Sequence, residues 1–148
     1  MSGSLHGEYR IDEDVSQIDW ERVHSWLSSS YWSPGISREW VERAARHSAL
    51  VLGVYSNREQ VGYLRVVSDT VRIAYLCDVW IDLDHRGKGL GRAMVRYALE
   101  HPELAHVKWL LATADAHGVY AALGFEPLTN PERLMQRSGM QKLNENPA

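Results

Sequence analysis

The spacing of hydrophobic positions changes several times along the chain, and each change marks an element. Glu8 to Ile11 predicts a short strand. From Asp19 to Ser28 the apolar residues Trp20, Val23, Trp26 and Leu27 recur at helical spacing. Ser28 to Gly35 is polar, with Pro34 and Gly35 breaking regular structure, and predicts a loop. Ser37 can cap a second helix running to Arg46, with Trp40, Val41 and Ala44 on one face. Ala49–Tyr55, Gln60–Ser68 and Val71–Ile81 are rich in β-branched and aromatic residues. Their connections are too short for crossovers, so they predict an antiparallel meander.

Past Arg86 the period returns to that of a helix, with Leu90, Met94, Tyr97 and Ala98 on one face and a stop before Pro102. Val107–Ala112 predicts a buried strand. The intervening helix lets it run parallel to the strand ending at Ile81. Asp115 or Ala116 to Leu123 predicts a short helix closed by Gly124. Phe125–Pro127 and Leu134–Gln136 read as short strands. The order is β-α-α-β-β-β-α-β-α-β-β, an α/β class with a mixed sheet. One domain over residues 1–148 is expected, with an ordered core from about residue 8 to residue 140.

Charge and composition narrow the function. Sixteen Lys and Arg oppose nineteen Asp and Glu, a net charge of −3, which argues against a nucleic-acid partner. No apolar run reaches the roughly 18 residues of a membrane helix. The first residues lack the order of a signal peptide, and the lone Cys77 cannot bridge internally, so a cytoplasmic protein is expected. No His-Glu-x-x-His or cysteine cluster occurs, so no metal is expected, and His101 and His106 read as surface residues. Six Trp and seven Tyr stand against one Phe; such residues pack a core, or line places where one end meets a ligand.

The segment with most chemistry is Arg86-Gly87-Lys88-Gly89-Leu90-Gly91-Arg92, between a strand and a helix. Its glycines let unpaired amides approach a ligand, and the helix start adds positive potential, so the turn suits a phosphate or pyrophosphate. Arg86, Lys88 and Arg92 add cations at the same place. The spacing is neither a Walker loop nor the dinucleotide fingerprint.

Arg86-x-x-Gly89-x-Gly91 after Val79-Trp80-Ile81 resembles the acetyl-CoA motif of the GNAT N-acetyltransferase superfamily. Ala116 to Phe125 resembles a second motif of that family, Ala-x-x-Leu-Tyr-x-x-x-Gly-Phe, and the order of elements is similar too. The resemblance implies the GNAT acyl-CoA N-acyltransferase fold and transfer of acetyl from acetyl-CoA to a small-molecule primary amine in a ternary complex. It implies that Arg86, Gly87, Lys88, Gly89, Leu90, Gly91 and Arg92 cradle the pyrophosphate. Main-chain groups of Val79 and Ile81 would bond the pantetheine arm, in a gap between Val71–Ile81 and Val107–Ala112. Tyr120 would be the general acid for the departing thiolate. Where the family has Asn beside the arm, this chain has Thr113.

An alkylammonium with a pKa near 10.4 must lose a proton before it attacks, so a base is needed. Asp78 is the candidate, with Asp115 and His117 as alternatives. Cys77 should face the opposite side of the strand and lie in the core. Tyr31 and Trp32, in the loop that borders the family's acceptor cleft, are candidate walls that could hold an ammonium or a ring. A non-catalytic acyl-CoA-binding module and an acetyltransferase of protein N-termini or lysines remain open, as does a homodimer.

Overall fold

The computed structural model describes residues 3–139 and 142–145. Six strands form one mixed sheet: β1 (Gly3–His6), β2 (Tyr9–Asp12), β3 (Leu50–Ser56), β4 (Glu59–Ser68), β5 (Ile73–Ile81) and β6 (Lys108–Leu110). They lie in sequence order across the sheet. All neighbours are antiparallel except β5 and β6, which run parallel. The helices are α1 (Trp20–Ser28), α2 (Arg38–Arg46), α3 (Leu90–Glu100) and α4 (His117–Ala121).

Each face of the sheet carries its own core. Leu52, Val54, Leu64, Val66, Ala74 and Leu76 pack against Leu90, Met94, Val95 and Ala98 of α3. On the other face Val51 and Tyr63 meet Val23, Trp26 and Leu27 of α1 and Val41 and Ala45 of α2. Each fully buried aliphatic chain contributes about 1.5–3 kcal/mol. Buried Gln60 fastens α1 to the sheet: its Oε1 accepts from Asp19 N at 2.7 Å and its Nε2 donates to Gly62 O at 2.9 Å. Asp19 and Ser37 cap α1 and α2 through their side chains. Among the described residues no helix is long and apolar enough to cross a membrane.

The mixed α/β class, the meander and the parallel return through α3 are as expected, but the two ends of the chain differ. Gly3–His6 forms a strand the sequence pattern missed, because it is short, Ser/Gly-rich and mostly exposed. Gly7, at φ +59°, turns it back onto β2. Phe125–Pro127 and Leu134–Gln136 are not strands. Phe125 is drawn back onto α4 instead, its amide donating to Tyr120 O at 3.1 Å, while Gly124 N donates to Ala121 O at 3.0 Å. That pair of bonds closes the helix as a Schellman motif around Gly124 at φ +96°. Leu134 and Met135 are exposed and pair with no strand among the described residues. In α2 the buried face carries Ala45 rather than Ala44.

Candidate active site

The glycine-rich turn has the form an anion site requires. Gly87 and Gly89 sit at φ +80° and +77°, where a side chain would be strained, and α3 begins directly after them. The amides from Gly87 to Arg92 have no hydrogen-bond acceptor among the described residues, and they cluster at the positive end of α3. The turn is braced from the far end of the sheet, with His6 Nε2 3.1 Å from Lys88 O.

Two of the three expected cations are tied elsewhere. Arg86 donates from Nε to Ile81 O at 2.8 Å and lies over the Trp80 ring at 5.3 Å. Lys88 donates from Nζ to Tyr9 Oη at 3.0 Å, a bond that raises its pKa. Arg92 is exposed on the first turn of α3 with no partner among the described residues. Arg86 and Lys88 keep their charge, because their partners are neutral, but their side chains are held in place, and Arg92 is left without a partner among the described residues; the Ile81 carbonyl already has a donor.

The sheet parts beside this turn. β5 and β6 pair only at Ile73–Lys108, Ala74–Trp109 and Tyr75–Leu110. β5 then continues to Ile81 with no strand paired on that side among the described residues, and β6 is shorter than its hydrophobic run. Within the open stretch β5 bulges: Asp78 and Val79 fall between the Arg65–Cys77 and Tyr63–Trp80 pairs, opposite Leu64 alone. Asp78 takes up the extra residue at φ +57°.

The bulge overturns the expected placement of Cys77. Cys77 pairs with Arg65 across the ladder, and Asp78 reaches the same Arg65, so the two neighbours share a face. Cys77 is half-buried rather than in the core. Burial raises its thiol to about 11; Arg65 lowers it and Asp78 raises it by smaller amounts. Such a thiol stays protonated at neutral pH and is a poor nucleophile.

Asp78 is held on both oxygens. Oδ2 accepts from Arg65 Nε at 2.7 Å and Oδ1 from Trp32 Nε1 at 2.9 Å. Trp32 packs against Trp80 at 6.0 Å between ring centroids and edge-to-face with Tyr31 at 5.0 Å. Tyr31 Oη accepts from Ala114 N at 2.9 Å, on the chain leaving β6. The loop is set by two buried serines, whose hydroxyls lie 3.0 Å apart and both donate to Leu27 O.

Tyr120 is half-buried on α4, packed edge-to-face on Phe125 at 5.9 Å. Burial raises its phenol, and Tyr31 and Asp115 raise it further. Thr113 Oγ1 accepts from Ala116 N at 3.1 Å, which folds the chain just ahead of α4. Asp115 and His117 are exposed. A cavity of about 1200 Å³ lies between β6, α4 and the segment after it, with Leu111, Thr113, Tyr120 and Phe125 in its lining.

Elsewhere, His106 is exposed, but His101 is half-buried, its Nε2 3.4 Å from Glu13. Ligand-type atoms of Glu59, Asp82 and His85 lie within 4.8 Å of one another. Arg22 Nη2 stands 3.3 Å from both carboxylates, so a guanidinium already supplies the positive charge there.

Sequence reasoning missed Arg65 and Tyr63. Both lie on the α1–α2 face of β4, where Tyr63 is fully buried and its hydroxyl has no partner among the described residues. A charged residue within an otherwise apolar strand was the available signal for Arg65.

Comparison with known proteins adds an independent line. The profile of a family described as the acetyltransferase (GNAT) family matches residues 13–125. A crystal structure from Xanthomonas campestris pv. campestris, provisionally described as an acetyltransferase of that family, superposes with a TM-score of 0.86. The two share 37% identity over 93% of this chain and 96% of that one. A Gibberella zeae protein provisionally described as an acetyltransferase is 29% identical over 135 residues, 75% of each chain. The ribosomal-protein-S18-alanine N-acetyltransferase of Escherichia coli shares the fold, with a TM-score of 0.66 and 20% identity over 82% of this chain and 79% of that one.

Proposed function

The chain belongs to the acetyltransferase (GNAT) family, and from that membership we propose that it transfers acetyl from acetyl-CoA to a primary amine of a small molecule by direct attack within a ternary complex. The observation that carries this reading is the parting of β5 and β6 beside a turn of unpaired amides. Together they make a slot for an extended arm and a cradle for its phosphates, the two needs of a CoA thioester.

In this reading the amides of Gly87 to Arg92, with the Arg92 guanidinium, hold the pyrophosphate, and the Val79 main chain bonds the arm. Tyr31 and Trp32 wall the acceptor side. Asp78 takes the proton that frees the amine lone pair. Since both of its oxygens are engaged, the proton must displace or share the indole bond from Trp32. The nitrogen attacks the thioester carbonyl, the carbon–sulfur bond breaks, and the sulfur leaves with the electron pair. Tyr120, kept neutral by burial, gives that sulfur a proton. The acylated nitrogen gives up its second proton, which restores the Tyr120 phenol, so the products are an N-acetyl amide and CoA thiol, with one proton left on Asp78. We place the reaction in the cytoplasm.

A small acceptor is favoured over a protein chain because aromatic side chains span the opening on its acceptor side. The 20% identity to an enzyme acting on a ribosomal protein concerns the fold alone.

The first test is a thermal shift with acetyl-CoA. Ligand at about 100 times its dissociation constant adds about 2.7 kcal/mol, which raises the melting point by about 5–10 °C for a chain this long. No shift at millimolar acetyl-CoA would sink the proposal. Thiol release across a panel of small amines and peptides then separates the small-molecule transferase from a protein acetyltransferase, and from a binder that turns over nothing.

A further inference from the structure

The loop between α1 and α2 is fastened to both lips of the opening in the sheet. One lip is the β5 bulge, where Asp78 Oδ1 accepts from Trp32 Nε1 at 2.9 Å. The other is the chain beyond β6, where Ala114 N donates to Tyr31 Oη at 2.9 Å. Asp78 lies three residues past the last β5–β6 pair at Tyr75, and Ala114 four residues past its partner Leu110. Tyr31 and Trp32 meet edge-to-face, so two adjacent residues make one aromatic bridge over the place where the strands have separated.

The bridge is rigidly mounted. Ser30 and Ser33, on either side of it, are buried; both hydroxyls are in reach of Leu27 O, and Ser33 N donates to Ser30 Oγ at 3.1 Å. Gly35 N donates to Ser28 O at 2.8 Å and closes the base of the loop. Trp32 is backed by Trp80, which packs on the α1–α2 core. Moving the bridge aside therefore breaks hydrogen bonds at both lips and ring packing on one side.

We infer that Tyr31 and Trp32 set the length of the acyl group the enzyme accepts. This rests on the proposed reading, in which the thioester lies in the slot between β5 and β6. The arm of CoA fills the slot behind the thioester carbonyl, so added carbons on the acyl group extend forward, toward the acceptor side. The bridge stands there. Acetyl ends short of it, whereas a longer chain must displace it or leave the slot.

The test needs no acceptor: the full chain is titrated with CoA, acetyl-CoA and hexanoyl-CoA by calorimetry. The wild-type protein should bind acetyl-CoA about tenfold or more tightly than hexanoyl-CoA, because the longer chain must break the bonds that hold the bridge to both lips. Trp32→Ala and Tyr31→Ala should each bring that ratio to about one or invert it, with melting curves establishing that each variant is folded. Trp32→Phe restores ring bulk without the N–H donor and should recover part of the discrimination, which a general loosening of the fold would not. Equal wild-type affinity for the two thioesters overturns the inference even if no variant folds. So does an unchanged ratio in either folded alanine variant. A protein that binds neither thioester nor CoA fails the proposed function itself, and the inference falls with it.

Discussion

Arg65 and Asp78 form an ion pair across adjacent strands, Nε to Oδ2 at 2.7 Å, with side chains only 18% and 14% exposed. The pair offers two separable roles for the carboxylate: anchoring Trp32 and taking a proton. Asp78→Asn keeps an acceptor for the indole but removes the base, and it should lower kcat by about 100-fold or more. Arg65→Gln leaves the carboxylate in place. Steady-state rates with an amine acceptor decide: equal losses in both variants would reduce Asp78 to an anchor. Either variant should also cost about 1–3 kcal/mol of stability in urea unfolding.

In the proposed mechanism Tyr120 sets the alkaline side of the pH profile. Burial, then Tyr31 and Asp115, raise its phenol above the ordinary value near 10. The active form is protonated, so a raised pKa carries activity to higher pH. The kcat profile should stay flat on its basic side to at least about pH 9.5. Tyr120→Phe should lower kcat by about tenfold or more and leave acetyl-CoA affinity nearly unchanged. A falling limb near pH 8.5 that vanishes in Tyr120→Phe would contradict a raised phenol.

Tyr63 places a hydroxyl in the α1–α2 core with no partner among the described residues. Removing it should be favourable: Tyr63→Phe should gain about 1 kcal/mol, or about 2–4 °C in melting temperature. A loss of stability would mean that the hydroxyl is satisfied. Burial raises the phenol of Tyr63 strongly and that of Tyr55 to about 12. The unfolded chain releases both protons near pH 10 while the fold keeps them, so their contribution is complete below pH 10 and is lost as pH rises beyond it. Tyr63→Phe should therefore also soften the alkaline fall in stability.

Local signals in the sequence placed the central elements and the anion turn. Helix spacing, and for α2 the Ser37 cap, fixed α1, α2 and α3 to within a residue or two, because both signals act between near neighbours in the chain. The glycine-rich turn and its unpaired amides were legible for the same reason. What stayed hidden depends on register. The bulge at Asp78 turns one residue and thereby puts Cys77 on the wrong side of any strict alternation. Arg65 becomes part of the site only because β4 lies beside that bulge. Trp32 meets Asp78 across 46 positions, and no periodicity carries such a pairing. The misread last strands show the converse: β-type residues after Gly124 had no partner in reach, and Phe125 folded back onto Tyr120.

The open stretch of β5 also bears on solubility. Six residues, Leu76 to Ile81, present strand backbone on a side where no strand pairs among the described residues. Such an edge at the rim of a sheet invites pairing with another chain and aggregation. Here the edge is recessed: β6 still joins β5 at one end, and Tyr31 and Trp32 bridge the opening farther along. A strand from another protein, with side chains on both faces, meets obstruction on the bridged face. A thin unbranched chain does not. The recess therefore makes this stretch of β5 a poorer template for another chain than an open sheet edge would be.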